Sequence, residues 1–228
     1  MLYKLTNQDF TTYGGCLWRE NVTHTADGEG ELCSEHWLHA YTHPLLAVFL
    51  NPIHGGFINP ILWECDGIVR ATDHWLKVGC TSLTTLRQIP LHMATTEQRI
   101  RFAIACALSV YQESSFVAWA TDWISGTNRS EKAAQEMWAS AWMVPCATEE
   151  ERIAAWGAIY AVRAAKLAAE FEDLATESLA IPAAESVEWA AQSAKKCATK
   201  ESRKITLDLI TCAEWAMCEN TVFTKTIQ

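Results

Sequence analysis

Cys33, His36, His39 and His43 follow one another in the spacing Cys-x2-His-x2-His-x3-His, with Cys16, His24, His54, Cys65, His74 and Cys80 nearby along the chain. Thiolate sulfur and imidazole nitrogen are natural zinc ligands, and a structural zinc site needs four of them in a tetrahedron. Cys33, His36, His39 and His43 are therefore the candidate metal ligands. Their spacing is not the paired one of known zinc modules. That favours histidines that make ordinary hydrogen bonds in turns, with no resident cofactor and zinc as the exception. A second chemistry is nucleophilic: Cys33 is a candidate thiolate with His39 or His36 as its base, since a thiol needs a neighbouring base or positive charge to ionise at neutral pH. A third is recognition, in which Trp37, His39, Tyr41, His54 and Trp63 stack on a ligand while backbone amides of glycine turns hold a phosphate.

No other catalytic signature is present. GxGxxG, GxxxxGK[ST], GxSxG and HExxH are all missing, so dinucleotide, P-loop, α/β-hydrolase and zincin readings have no foothold. Glu64 and Asp66 lie two apart on a candidate strand, hence on one face, but such a pair reads more simply as a solvated edge. The chain names no reaction and leans away from an enzyme.

The elements that position these residues change character along the chain. Only 4 of the 33 alanines precede residue 94, whereas all 7 histidines, 8 of the 10 glycines and 4 of the 6 prolines do. An α+β class follows: a small mixed module over 1–94, then an all-α, Ala/Trp-rich bundle over 95–228. In the first segment Leu2–Leu5, Ile61–Cys65, Trp75–Val78 and Leu83–Leu91 read as strands. Pro44 opens a helix that Asn51-Pro52 should close. In the second, Thr95-x-x-Gln98 and Thr148-x-x-Glu151 have capping-box spacing. Helices are expected near 95–111, 115–125, 130–143, 148–175, 182–198 and 202–219, with breaks at Gly126 and Pro145. Trp119 and Trp123, and Trp138 and Trp142, are each four apart and share helical faces. Alanine around them suits close helix packing with tryptophan filling the gaps, the alternative being exposed tryptophan faces that bind.

With 228 residues, 50% of them hydrophobic, the chain has ample material for a core. Its net charge of −9 opposes a phosphate backbone, so direct nucleic-acid binding is not expected. The group Lys195, Lys196, Lys200, Arg203 and Lys204 reads as a solvated helical face. The start MLYKLTNQDF has no apolar h-region, and stretches such as Leu45–Leu50 are too short to cross a bilayer. Nine scattered cysteines without a CxxC pair fit reduced thiols. The expectation is a soluble protein without membrane contact.

The run Gly28-Glu29-Gly30-Glu31-Leu32-Cys33, then Trp37-Leu38-His39-Ala40-Tyr41, Pro44-Leu45-Leu46-Ala47-Val48, Asn51-Pro52-Ile53-His54 and Leu62-Trp63-Glu64 resembles an uncharacterised bacteriophage and prophage family. Lys77-Val78-Gly79-Cys80-Thr81 and Thr96-Glu97-Gln98-Arg99 continue the resemblance, which covers about the first 130 residues. The chain departs from it at His36-Trp37, where a glycine is expected before the "HAY" element. The resemblance implies a phage-encoded accessory protein in the host cytoplasm, and it carries no reaction with it. Together with the acidic charge, it suggests a non-enzymatic inhibitor that docks on the basic groove of a host or anti-phage defence protein. A protein that sequesters a nucleotide signal, and a zinc- or Cys/His-dependent enzyme, are the alternatives. The apolar helices also make a homodimer plausible.

Overall fold

The computed structural model describes residues 1–73, 76–146, 148–170, 186, 189–194, 196 and 208–218. Most of the helix expected over 182–198, the beginning of that over 202–219, residues Lys195, Lys200, Arg203 and Lys204, and His74 and Trp75 lie outside the described residues. The protein is α+β, with an antiparallel sheet in its first part and helices after it. The chain divides into two compact units, Met1–Met93 and Ala94–Gln228.

In the first unit β1 (Leu2–Thr6) pairs with β4 (Ile61–Asp73), Leu2 opposite Cys65 and Thr6 opposite Ile61. β4 in turn pairs with β5 (Lys77–Ile89) in a long hairpin. Two strands of three residues, β2 (Thr23–Thr25) and β3 (Leu38–Ala40), cover the far edge of β5 in succession. β3 lies along Val78–Cys80 and β2 along Ser82–Thr84. Just beyond β3, Tyr41 exchanges backbone hydrogen bonds of 2.9 and 2.8 Å with Tyr3. Backbone pairing therefore runs β1–β4–β5–β3 and back to β1, the closure that lets a small sheet fill its interior with side chains. Leu2, Trp18, Ala40, Trp63, Cys65, Val78, Cys80 and Leu83 form that core. One of its two indoles, Trp63, donates from Nε1 to Thr6 Oγ1 at 3.1 Å, which satisfies the indole N–H that burial would otherwise strand.

The strands differ from their sequence reading in extent. The one expected to end at Cys65 continues to Asp73, and the two expected around Val78 and Leu83 are one. Hairpin pairing continues through Gly79–Ser82 with two shifts of register, so tertiary pairing overrides the local interruption in pattern. The second half of β4 is exposed, Ile68 at 50%, and its register shifts at Ile68/Val69 and Val69/Ala71. The proline helix α1 (Pro44–His54) starts as expected, with His43 Nδ1 accepting from the Leu45 amide. It does not stop at Asn51-Pro52. Near a C-terminus a proline removes a single N–H, and Asn51 closes the turn beyond it by bonding both the amide (3.2 Å) and the carbonyl (2.9 Å) of Phe57.

The second unit contains α2 (Thr96–Leu108), α3 (Ser114–Ser125), α4 (Glu131–Met143), α5 (Glu149–Glu170) and α6 (Leu209–Met217). Both capping boxes form: Thr95 Oγ1 accepts from the Gln98 amide at 3.1 Å, and Thr148 Oγ1 from that of Glu151 at 3.1 Å. The carboxylate of Glu113 caps α3 by accepting from the amides of Ser115 and Phe116. α2 packs on α3, α5 and α6, while α4 packs on α3 and α5. Alanine is what brings α5 close. Ala154, Ala155, Ala158, Ala161 and Ala165 are all buried, and a Cβ on Gly157 would stand 3.4 Å from the carbonyl of Ala190.

Candidate functional site

The four proposed zinc ligands do not converge. Cys33 is exposed. The exposed His36 turns Nδ1 onto Asp27, 2.8 Å from Oδ2, and that hydrogen bond, followed by the carboxylate charge, raises its pKa. Half-buried His39 holds the carbonyl of Leu32 through Nε2. Burial lowers its pKa, and the charges of Lys77 and Lys4 push in the same direction. His43 caps α1. Among the described residues no three His, Cys, Asp or Glu side chains form a metal-holding group.

The recognition candidates are dispersed as well. Tyr41 is buried and stacks on His54 at 5.9 Å between centroids, while Trp63 lies deep in the core. Trp37 is half-buried over β5 because Gly79 leaves it room: a Cβ there would come within 2.7 Å of the indole and 2.4 Å of Leu32. Two lysines escaped the sequence reading. Lys4 is buried in the core, with Nζ donating to the carbonyl of His39 at 3.0 Å and lying 4.5 Å from the Trp18 ring centroid. Burial lowers its pKa from 10.5 to about 8. Lys77, not a histidine, is the side chain beside Cys33, its Nζ donating to Sγ at 2.9 Å. Cys33 and Lys77 are far apart in sequence, and no local pattern signals their meeting.

A more coherent surface lies in the helical unit. Trp119 and Trp123 are buried on one face of α3, as packing residues should be. The pair on α4 behaves differently. Trp138 meets Trp142 edge-on at 6.1 Å, Trp142 meets Trp156 of α5 at 6.4 Å, Trp156 meets Tyr160 at 6.2 Å, and Tyr160 stacks on Trp189 at 5.9 Å. Three of these rings stay open to solvent, Trp142 at 54%, Trp156 at 40% and Trp189 at 47%, and Met143 beside them is 81% exposed. Trp138, Trp142, Trp156, Ile159, Tyr160 and Arg163 line a cavity of about 200 Å³. Arg163 is exposed and has no ion pair or hydrogen bond among the described residues. Arg152, held to Glu149 at 2.9 Å, sits 5.9 Å over Trp156. The four-residue spacing of Trp138 and Trp142 marks their shared face, but only packing decides that this face points outward.

The arrangement offers large, preorganised aromatic contact area. No described helix is long and apolar enough to cross a membrane. No family model, curated protein or solved structure matches the chain.

Proposed function

We propose that this is a phage-encoded accessory protein that acts by binding, with the aromatic face of α4 and α5 as its docking surface on a basic host or anti-phage defence protein. The observation that carries the reading is the continuous ladder from Trp138 to Trp189, with three of its tryptophans 40–54% exposed. Exposed clustered tryptophans are costly in a solitary soluble protein and are the residue type that dominates binding hot spots. The net charge of −9 favours a basic partner through long-range steering and complementarity, and lysine or arginine side chains of that partner would lie over the indole faces.

Arg163 supports a second reading, a planar anion such as a nucleotide that stacks on the rings and pairs its phosphate with the guanidinium. Volume favours the first. A cavity of about 200 Å³ falls below the roughly 300–1,000 Å³ of sites that enclose a whole small ligand. It suits one inserted side chain or ring better than a nucleotide. The test is pull-down from phage-infected cells with the wild-type chain and the double variant Trp142→Ala/Trp156→Ala. A partner that is lost from the variant and released by salt supports docking at this face. Equal recovery with both chains rejects it, as does thermal stabilisation by nucleoside phosphates that Arg163→Ala removes. A chain that is dimeric in light scattering and becomes monomeric in the double variant would reassign the face to self-association.

A further inference from the structure

Lys77 opens β5 with only 7% of its surface exposed, and it aims Nζ outward at the sulfur of the exposed Cys33. Among the described residues that sulfur is the only hydrogen-bond partner of Nζ. A buried ammonium ordinarily collects oxygen acceptors, because leaving it without them carries a large desolvation cost, and thiol sulfur is a weak acceptor. The pair is therefore a close contact of amine nitrogen with thiol sulfur that lacks the usual oxygen acceptors. Their separation of 2.9 Å is also shorter than an ordinary non-bonded approach of nitrogen to sulfur, so one inserted atom would reach both.

We propose that Cys33 and Lys77 are a modification site, joined by a reversible oxygen bridge, Sγ–O–Nζ, with dioxygen as the oxidant. The S–H bond and one N–H bond break, and S–O and O–N bonds form. The second oxygen atom leaves as water with both released protons, so one dioxygen is fully reduced per bridge. Four equivalents of an added thiol, oxidised to two disulfides, restore the free pair, and the bridging oxygen leaves as water. The bridge would tie the turn that carries His36 and Trp37 to the first residue of β5, independently of the helical docking face. Solvent reaches the sulfur directly, and burial of Lys77 keeps its amine from wandering.

The experiment is intact-mass and peptide mapping of the full chain held in air, then treated with dithiothreitol. The expected result is a gain of about 14 Da, one oxygen less two hydrogens, located in a cross-linked peptide containing Cys33 and Lys77 and reversed by the reductant. Cys33→Ser, at an exposed position, and Lys77→Arg, which keeps the charge, should each abolish it. An unchanged mass in air overturns the proposal. So does a gain of about 16 or 32 Da confined to Cys33, a loss of about 2 Da from a direct S–N bond, or a gain of about 14 Da that survives Cys33→Ser or the reductant.

Discussion

Replacing Lys4 with methionine should make the protein more stable at neutral pH and reverse its advantage in alkali. The aliphatic stem of Lys4 already fills space beside Trp18, and methionine conserves that volume. The charge is the costly part. Burial lowers the Lys4 pKa from 10.5 to about 8, a difference of about 2.5, which at about 1.4 kcal/mol per pH unit is a penalty of about 3.5 kcal/mol whenever the amine is protonated in both folded and unfolded chains. Below pH 8 that penalty is complete. Between pH 8 and 10.5 the unfolded chain binds more protons than the folded one, so stability rises with pH and the penalty fades. Methionine escapes it but leaves the carbonyl of His39 without the donor of Lys4, a loss of about 1 kcal/mol. The variant should thus gain about 2.5 kcal/mol at pH 7 and lose about 1 kcal/mol by pH 10.5. Cys65 and Cys80, whose pKa values burial pushes up to about 12 and about 11, act oppositely. They destabilise the fold once the unfolded thiols ionise above pH 9, and more so in the variant, which lacks the Lys4 charge that partly offsets their burial. The measurement is denaturant unfolding of wild type and Lys4→Met at intervals from pH 7 to 10.5, in reducing buffer. A variant less stable than wild type at pH 7, or a stability difference that does not change with pH, refutes the reasoning.

Gly79→Ala should destabilise the first unit by about 1–3 kcal/mol, because the new methyl would stand 2.4 Å from Leu32 and 2.7 Å from the rigid Trp37 ring; chemical denaturation followed by tryptophan fluorescence checks this. Asp27→Asn should lower the pKa of His36 toward its ordinary value, since the Asp27 hydrogen bond is the main cause of its elevation; an imidazole NMR titration unaltered by the substitution would contradict the pairing. Glu113→Ala removes the acceptor for the amides of Ser115 and Phe116 and should cost about 1 kcal/mol, read as a lower denaturant midpoint with an unchanged slope. Trp142→Ala, with more than half of the ring already in solvent, should leave that midpoint within about 0.5 kcal/mol of wild type, in contrast to its expected effect on partner capture.

What could be read from the residues was whatever local chemistry decides. The capping boxes at Thr95 and Thr148, the proline start at Pro44 and the glycine stop at Gly126 are written in a few adjacent positions, and each is present. β2 and β3 were missed because Thr-His-Thr and Leu-His-Ala have too few residues to show a period of two. They are strands because β5 offers its edge. The cysteine and histidines at 33–43 announced reactive side chains but not their destinations, since each histidine is claimed by a neighbour such as Asp27, the Leu32 carbonyl or the Leu45 amide. The partner of Cys33 comes instead from across the sheet. On the helices, the same four-residue spacing produced a buried pair at Trp119 and Trp123 and, at Trp138 and Trp142, a half-buried ring beside an open one. Periodicity names a face without saying what covers it.

The irregular half of β4 has one more effect. Past Cys65 that strand leaves β1 behind and runs on to Asp73 with β5 as its only strand partner among the described residues, so its other side is a strand edge beside exposed Ile68 and Val69. A straight edge of that composition would invite a strand from a neighbouring molecule and, repeated, an aggregate. The two register shifts there break the regular repeat of donors and acceptors that an incoming strand must match. Straightening them by deleting one residue would be expected to convert a sheltered margin into a sticky one.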